Sequence, residues 1–482
     1  MRVLLLSVLF VFTYQIQISS QQALKEKMDA YAEEVIKRHG IPGLSIAVVK
    51  NGEKVYHNNF GYASLEHQVN TKDESIYRIY SITKIFVSVA LFQLVEEGKI
   101  SLTDEVGKHY DGLPEAWQSL KIQHLITHST GFPDMAPFWE FMDLTEEQAK
   151  EKVFAQDLKF EAGSQYDYNQ TNFWLLQRII EKVAGHSIND LILKHQFSNS
   201  IDSVFLSSDS RDVVLNRVTP YFPFLKGVPT IDLSYMQGDF ALAMNGLNIT
   251  MNDFIKWSTA LQNDTFLKKE TKELMWKTFN YSSSDKVFAN GWDKMMLNNH
   301  PSYGFTGGLV TAYRIFPEDD MAIFFLSNGL SAPYSMDHII NHFAHIVDSN
   351  IFDPDDLIFE ELYATLNHEN FDLFKQKYTD LKSKPAFKDG DFEGIINGLG
   401  YSVLGRNEPQ KAIAVFEFNV AQHPNAWNVY DSLGEAYDET KDYPNALKAY
   451  QKALSLNQSN EYNRNEFLNN RIKIIKAILE KN

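Results

Sequence analysis

The stretch Ser81-Ile82-Thr83-Lys84 decides how this chain is interpreted, because it places a serine and a lysine one helical turn apart at the head of an apolar run. The residues from Ile85 to Val95 are apolar nearly all round, which predicts a helix through a domain interior. At a helix start, the free N–H groups and the dipole favour negative charge. A serine hydroxyl is a weak nucleophile that needs a nearby base, and Lys84 can reach it. The motif predicts a nucleophilic serine; a helix cap with a solvated lysine is the alternative.

The sequence on either side of the motif favours a nucleophilic serine over a helix cap. The flanking stretches are Tyr77-Arg78-Ile79-Tyr80, the segment from Leu94 to Val106, and His124-Leu125-Ile126-Thr127-His128-Ser129-Thr130-Gly131-Phe132-Pro133. With Ser81 and Lys84 they resemble the family of class C β-lactamases, D-alanyl carboxypeptidases and related esterases. The resemblance extends from about residue 41 to about residue 328. It implies a serine hydrolase that works through an acyl-enzyme on Ser81 without a cofactor.

Apolar periodicity predicts a sheet built from both ends of this region. Residues 44–49 read as a strand, and Asn51-Gly52 is a tight turn into a second strand. Residues 309–316 and 321–327 alternate like paired strands, and helices are predicted at 23–38 and 334–347. This order predicts an α+β fold: one antiparallel sheet flanked by terminal helices, with an inserted helical subdomain. The resemblance implies the same architecture.

The family's second motif, a Tyr-x-Asn after a Pro-Gly turn, corresponds to Tyr168-Asn169-Gln170 after Gly163. The resemblance therefore implies that Tyr168 is the general base for Ser81. A phenol with a pKa of about 10 is a poor base alone, but an ammonium such as Lys84 stabilises the phenolate. Gln170 replaces the asparagine and keeps an amide, so it is expected to bind substrate and Lys84. Tyr166 is interpreted as a core aromatic.

The third motif, a Lys/His-Thr/Ser-Gly strand, corresponds to Phe305-Thr306-Gly307, followed by Gly308. The resemblance implies that Thr306 and Gly307 bind substrate and that the N–H groups of Ser81 and Gly308 form the oxyanion hole, each donor worth ~3–4 kcal/mol. Phe305 replaces the cationic or polar residue that helps bind a substrate carboxylate in the relatives. Arg314, predicted on the same strand, is a candidate replacement, although an outward, solvated position is the preferred interpretation.

Composition excludes several classes of function. The formal charge of −17 argues against nucleic-acid and anionic-membrane binding, and the absence of cysteine excludes disulfides and thiolate metal sites. Residues 1–20 carry Arg2 and an apolar run that read as a secretory signal peptide, with cleavage predicted before Gln21. An uncleaved anchor is the alternative, but the run is short for a bilayer. A soluble protein in a bacterial periplasm, or secreted, is expected.

After about Phe352, the sequence changes character and two segments repeat. Leu399-Gly400, Ala412 and Phe416 recur as Leu433-Gly434, Ala446 and Tyr450, an offset of 34 residues typical of tetratricopeptide repeats. The predicted organisation is a hydrolase domain at 21–350, a helical connector at 351–394, and repeats with a capping helix at 395–482. A generic helical hairpin is the alternative. The repeats are expected to bind a protein or peptide, or to dock on the hydrolase domain.

Two other groups of residues are candidate sites. His124 and His128 are four residues apart, but no H-E-x-x-H glutamate lies between them, so structural histidines are favoured over zinc and no metal site is predicted. An apolar acyl pocket, or ordinary packing, is suggested by the aromatic residues Phe132, Phe138, Trp139, Tyr221, Phe222, Phe224 and Tyr235.

The leading hypothesis from the sequence is an exported serine hydrolase that cleaves an ester or an amide, with Phe305 favouring esters or uncharged acyl groups. One alternative is a true β-lactamase or D-Ala-D-Ala peptidase that uses Arg314 as its carboxylate anchor. The other is a catalytically degenerate scaffold that works through its repeats.

Overall fold

The chain folds into two compact units that meet in sequence at Ile351. The computed structural model describes residues 2–135, 144–197, 203–221, 230–233, 238–330, 336–367, 371–405, 407–461 and 464–480. The described strands, all in the first unit, are β1 Gly43–Lys50, β2 Glu53–Ser64, β3 Val69–Asn70, β4 Ile76–Arg78, β5 Val204–Leu206, β6 Leu247–Thr250, β7 Asp293–Leu297, β8 His300–Gly307, β9 Thr311–Phe316 and β10 Met321–Ser327.

Helices surround these strands and make up the second unit. Those of the first unit are α1 Arg2–His39, α2 Thr83–Glu96, α3 Val106–His109, α4 Glu115–Gln118, α5 Ile122–Ile126, α6 Glu146–Phe154, α7 Gln170–Ala184, α8 Ile188–Gln196, α9 Leu242–Asn245, α10 Met251–Gln262, α11 Lys269–Met275 and α12 Met336–Val347. Those of the second are α13 Pro354–Asn367, α14 Phe371–Ser383, α15 Phe392–Gly405, α16 Pro409–Gln422, α17 Trp427–Glu439, α18 Tyr443–Leu456 and α19 Arg464–Leu479. Among the described residues, no helix combines the length and apolar character needed to cross a membrane.

The large sheet joins the two ends of the first unit, as predicted. Its antiparallel order is β3-β2-β1-β10-β9-β8-β7, and β1 pairs with β10 so that Leu44 lies opposite Ser327. Asn51 and Gly52 both have positive φ in the turn between β1 and β2, which explains why this pair occurs there. A small sheet, β4-β6-β5, leads into the helical part of the unit. The predicted α+β class with an inserted helical region is confirmed.

Both faces of the large sheet are covered, which explains why β1 and β10 are almost continuously apolar. Along β1, Ile46 and Val48 face a core shared with α1 and α12, whereas Ala47 and Val49 face the larger core that contains α2. All residues of α2 from Thr83 to Phe92 are buried. The prediction of an interior helix after Ser81 is therefore confirmed.

The interpretation of Arg314 as an outward, solvated residue is wrong. Arg314 is 1 % exposed, and its guanidinium donates to Asp337 Oδ1 at 2.9 Å and to Ser302 Oγ at 3.2 Å. Its neighbours Ala312 and Phe316 belong to the core under α1 and α12. The alternation of β9 therefore puts Arg314 on the sheet face opposite Phe305, so it does not replace the missing cation there.

The second unit is entirely helical where it is described, and it shows why the repeat pattern uses glycine and aromatic residues. A Cβ on Gly400 would lie 2.3 Å from the Phe416 ring, and a Cβ on Gly434 would lie 2.7 Å from the Tyr450 ring. These two contacts join α15 to α16 and α17 to α18 at equivalent positions. The small residue lets each pair of helices approach closely, as predicted for tetratricopeptide repeats.

Candidate active site

Ser81 lies at the junction between the small sheet and the buried helix α2. A 3₁₀ turn at Tyr80–Ile82 follows β4, and Tyr80 adopts a positive φ of 47°. Ser81 therefore stands in this turn, two residues before α2 begins at Thr83, rather than at the first helical position that the sequence suggested. The sharp change of chain direction holds the hydroxyl at the end of the helix that carries Lys84.

Lys84 is not the solvated lysine of the alternative interpretation, because it is 0 % exposed. Its ammonium has three acceptors: Gln170 Oε1 at 2.9 Å, the carbonyl oxygen of Met244 at 2.7 Å and Ser81 Oγ at 3.3 Å. Burial lowers the pKa of the Lys84 amine, and nearby Tyr168 opposes part of that shift. Two of the three positions on the nitrogen are fixed by carbonyl groups, so the third faces the serine.

Tyr168 completes the arrangement around the serine. Its hydroxyl lies 2.6 Å from Ser81 Oγ, and Lys84 Nζ lies 5.0 Å from the centre of its ring. Tyr166, two residues earlier, packs against Phe288 at a ring distance of 5.1 Å, and burial raises the pKa of its phenol well above the usual value. The structure thus brings Tyr168 to the serine and places Tyr166 in the surrounding aromatic packing.

Gln170 is the first residue of α7 and contacts Lys84 through its side-chain oxygen. Asn169 caps the helix by accepting from the backbone N–H of Asn172. The backbone N–H of Gln170 donates to Asp134 Oδ1 at 2.9 Å. Asp134 also helps to retain the positive charge of Lys84. Sequence reasoning missed this carboxylate because Asp134 lies far from Gln170 along the chain.

The end of β8 lies against the backbone that leads into Ser81. A Cβ on Gly307 would lie 2.1 Å from the carbonyl oxygen of Ile79, and a Cβ on Gly308 would lie 2.8 Å from the Tyr80 ring. Only glycine fits at these two positions, because a side chain would push the strand end away from the serine. Gly307 therefore packs closely against the backbone before Ser81. Thr306, the residue before it, is half-buried.

Phe305 forms an apolar wall beside the proposed base. It is 8 % exposed, and its ring lies 6.0 Å from the ring of Tyr168 and 6.1 Å from that of Phe288. No residue of this wall carries a charge. The place where relatives offer a polar or cationic side chain is thus aromatic.

The remaining candidates from the sequence make the following contacts where they are described. Helix α5 ends at Ile126 and His128 has a positive φ, so His124 and His128 do not share a helical face; no group of three metal ligands occurs in the described part of the chain. Phe132 is buried and stacks on Trp117, and the Tyr221 hydroxyl accepts from the N–H of Leu65. Five members of the suggested acyl pocket lie outside the described residues, namely Phe138, Trp139, Phe222, Phe224 and Tyr235.

Comparison with known proteins agrees with this geometry. The Beta-lactamase family model matches residues 22–343, which is most of the chain. The chain belongs to the Beta-lactamase family. A Tetratricopeptide repeat model also matches residues 427–460, the second of the two repeat segments. The structure and these matches together show a β-lactamase-family serine hydrolase fold followed by a repeat-containing helical region.

Individual relatives of this β-lactamase-family protein are distant. It is similar to penicillin-binding protein 4* of Bacillus subtilis, with 24 % identity over 310 residues, covering 59 % of this chain and 66 % of that protein. It is also similar to Protein flp of Staphylococcus aureus strain MW2, with 28 % identity over 189 residues and 36 % of each chain covered. The chain thus spans somewhat less than two thirds of the first relative and about a third of the second.

Solved structures show the same fold at low identity. A penicillin-binding protein homologue from Pyrococcus abyssi, described as octameric, aligns with a TM-score of 0.59 and 22 % identity over 70 % of this chain and 81 % of the other. EstCE1, described as a hydrolase with promiscuous acyltransferase activity, aligns with a TM-score of 0.57 and 17 % identity over 69 % of this chain and 100 % of the other. Both comparisons concern the fold alone.

Proposed function

We propose that this protein is an exported serine hydrolase that cleaves an ester or an amide through an acyl-enzyme on Ser81. The observation that carries the proposal is the contact of Ser81 Oγ with both the Tyr168 hydroxyl, at 2.6 Å, and Lys84 Nζ, at 3.3 Å. A serine hydroxyl bonded to a potential base that is itself oriented by a third group is the general signature of an activated nucleophile. An unused serine at a surface helix cap would not have these two partners.

In the proposed reaction, Tyr168 accepts the proton of Ser81 as Oγ attacks the substrate carbonyl carbon. The ammonium of Lys84 stabilises the phenolate, and the N–H groups of Ser81 and Gly308 stabilise the oxyanion of the tetrahedral intermediate. The proton then passes from Tyr168 to the leaving oxygen or nitrogen, and the acyl group stays on Ser81. Water attacks this ester in the second half-reaction, with Tyr168 again accepting a proton and returning it to Ser81.

The substrate preference follows from Phe305. Its ring and that of Phe288 place apolar surface next to Tyr168, where a charged group would lose hydration without gaining a partner. We therefore favour esters and uncharged acyl groups, with Thr306 as a hydrogen-bonding group for the substrate. A β-lactam or D-Ala-D-Ala substrate is the alternative, and it requires a carboxylate anchor other than the buried Arg314.

A panel of short-chain and long-chain esters, anilides, β-lactams and D-Ala-D-Ala peptides, assayed beside Ser81→Ala, tests the proposal. We expect ester turnover that Ser81→Ala abolishes. Turnover of β-lactams or D-Ala-D-Ala peptides above that of all esters would favour the alternative substrate class. No turnover of any compound, together with no labelling of Ser81 by a serine-reactive probe, would favour a degenerate scaffold.

The second part of the proposal is that the protein is exported. Residues 1–20 are the proposed signal peptide, and the mature protein is proposed to be periplasmic or secreted, in a bacterium. The described side chains of α1 that pack on the sheet lie after the predicted cleavage point, with Leu24 half-buried against that core and Met28, Ala32 and Val35 fully buried. Removal of residues 1–20 therefore leaves this packing intact. N-terminal sequencing of the protein expressed with a bacterial export system should begin at or near Gln21; an unprocessed Met1 would contradict this part.

The repeats offer a groove whose charge suggests its ligand. Ten residues from α15, α17 and the region around the start of α19 line it: Glu393, Asn397, Tyr401, Trp427, Asn428, Asp431, Ser432, Glu435, Glu461 and Arg464. Arg464 binds both Asp431 and Glu435. Glu461 instead accepts from the Trp427 indole at 2.9 Å, and Glu393 accepts from the Asn428 amide at 2.8 Å. Two of the four carboxylates, Asp431 and Glu435, thus share the guanidinium of Arg464, whereas Glu393 and Glu461 accept hydrogen bonds from uncharged donors.

We propose that this groove binds an extended, basic segment of a protein partner, with a lysine or arginine beside Trp427. A lysine-rich peptide should bind the full chain more tightly than a glutamate-rich peptide of equal length, and added salt should weaken it. The double variant Glu393→Gln/Glu461→Gln should reduce binding, whereas the exposed Glu466→Gln, outside the groove, should not. Preference for the acidic peptide, or equal loss in the control, would contradict the assignment.

A further inference from the structure

A buried histidine that the proposed reaction does not use holds the backbone on both sides of Tyr168. The carbonyl oxygen of His128 accepts from the N–H of Asp167 at 2.9 Å, and His128 Nδ1 accepts from the N–H of Asn169 at 3.4 Å. The His128 ring also lies 4.6 Å from the Tyr168 ring. The residues before and after Tyr168 thus donate to a single residue, which packs on the tyrosine as well.

The hydrogen bonds of Asn172 fix the tautomer of this histidine. The hydroxyl of Thr130 donates to Asn172 Oδ1 at 2.7 Å, so the amide nitrogen of Asn172 faces His128 Nδ1 at 3.2 Å and donates to it. With two donors directed at Nδ1, that atom is an acceptor and the proton of the ring is on Nε2. Among the described residues, Nε2 has no hydrogen-bond partner.

The same surroundings keep the ring neutral. His128 is 0 % exposed, and burial, followed by the charge of Lys84, lowers its pKa well below the usual value. Three further rings surround it, those of Phe173, Tyr166 and Phe288. A protonated ring would turn Nδ1 into a donor facing the N–H of Asn169 and the amide of Asn172, so protonation would break the contacts that hold the Tyr168 segment.

We propose that His128 is a positioning residue for Tyr168, which as a neutral Nδ1 acceptor sets the phenol on the Ser81 hydroxyl. This inference rests on the proposed function, because it gives Tyr168 the role of the base. The backbone supports it: His128 adopts a positive φ of 53°, a conformation that histidine and asparagine tolerate better than most residues. His128 thus combines a left-handed backbone conformation with a side-chain acceptor directed at the N–H of Asn169, the residue after Tyr168.

Two substitutions separate positioning from general support of the fold. His128→Phe keeps an aromatic ring but loses the Nδ1 acceptor, and His128→Asn keeps an acceptor near that position and tolerates the backbone. We expect kcat per Ser81 titrated with a serine-reactive probe to fall about 10- to 100-fold in His128→Phe, with KM changed by less than about threefold. His128→Asn should recover at least about a third of the wild-type kcat. His124→Asn, in the same segment, is the control and should stay within about twofold of wild type.

Coupling to Tyr168 is the decisive comparison. If His128 acts through the phenol, then His128→Phe/Tyr168→Phe should have nearly the same kcat as Tyr168→Phe alone. Independent, additive losses, or an unchanged kcat in His128→Phe, would overturn the inference.

Hydrogen exchange separates a failure of this inference from a failure of the proposed function. Backbone amides of residues 167–169 should exchange faster in His128→Phe than in wild type, whether or not a substrate is turned over. Unchanged exchange would overturn the positioning role even in an active enzyme. Failure of the wild-type protein to label at Ser81 would instead overturn the proposed function, and the exchange result would still decide whether His128 holds this segment.

Discussion

The Tyr168 hydroxyl lies 2.6 Å from Ser81 Oγ, although the two residues are 87 positions apart in the chain and precede different helices. Ser81 precedes the buried helix α2, and Tyr168 precedes α7, whose first residue binds Lys84. The two helices therefore present the nucleophile, the phenol and the ammonium to one another. Catalysis through this group should depend on all three together.

The losses of kcat caused by substituting Tyr168 and by substituting Lys84 should not be additive. Because the ammonium is proposed to stabilise the phenolate, Tyr168→Phe and Lys84→Ala should each lower kcat by ~10²-fold or more, and the double variant should lose little beyond the worse single variant. The measurement is kcat for a neutral ester at equal folded concentration. Losses that multiply would contradict a shared role in proton transfer.

The sequence identified these three residues because their motifs are local: S-x-x-K spans four residues, and the tyrosine motif follows a glycine turn. It identified the repeats for the same reason, since Gly400 and Gly434 recur at a fixed offset. It did not find Asp134 or the Met244 carbonyl, because their approach to Gln170 and Lys84 depends on tertiary packing. Arg314 was misjudged because a cation in a strand is usually exposed, and its partner Asp337 comes from another element.

Phe305 should control the preference between charged and neutral substrates. Phe305→His or Phe305→Lys introduces a donor or cation beside Tyr168, so turnover of a substrate with a carboxylate should rise relative to a neutral ester, by about tenfold or more in kcat/KM ratio. Phe305→Leu is the apolar control and should leave the ratio within about threefold. An unchanged ratio in a folded Phe305→Lys variant would show that another group sets the preference.

Buried histidines should make the protein sensitive to mild acid. Burial lowers the pKa of His342 to about 3 and that of His128 well below its ordinary range, whereas in the unfolded chain histidine titrates near pH ~6.5. As pH falls below about 6.5, the unfolded state binds more protons, so the free energy of unfolding decreases with falling pH. We expect His342 to cause a loss of about 2 kcal/mol between pH 7 and pH 5, and His128 to add a loss in the same direction.

Urea unfolding at pH 7 and pH 5 measures this dependence. His342→Gln should remove about 2 kcal/mol of the loss between pH 7 and pH 5, whereas His67→Gln at an exposed position should leave the loss unchanged. The pKa of Asp104 is lowered to about 2, mainly by its hydrogen bond to Lys108. Titration of Asp104 therefore changes the free energy of unfolding only at lower pH and does not affect the comparison between pH 7 and pH 5. Equal slopes for wild type and His342→Gln would contradict the assignment.

The hydrolase unit should fold and work without the repeats. The sheet, its flanking helices and the residues around Ser81 all precede Ile351, which is fully buried in the core under α1 and α12. A truncated chain should therefore end at Phe352 rather than at the predicted boundary of 350, which would remove that core residue. We expect kcat for a small ester within about threefold of the full chain, with binding of the basic peptide lost. An insoluble or inactive truncated chain would show that the helices after Phe352 support the hydrolase unit.

Mass spectrometry of the protein quenched in acid during turnover of a slowly hydrolysed ester tests the central claim most directly. The account predicts an adduct whose mass equals the acyl group, located on the peptide that contains Ser81, present in wild type and absent in Ser81→Ala. Tyr168→Phe should accumulate this adduct more slowly. Steady turnover without an adduct, or turnover that persists in Ser81→Ala, would contradict an acyl-enzyme on Ser81.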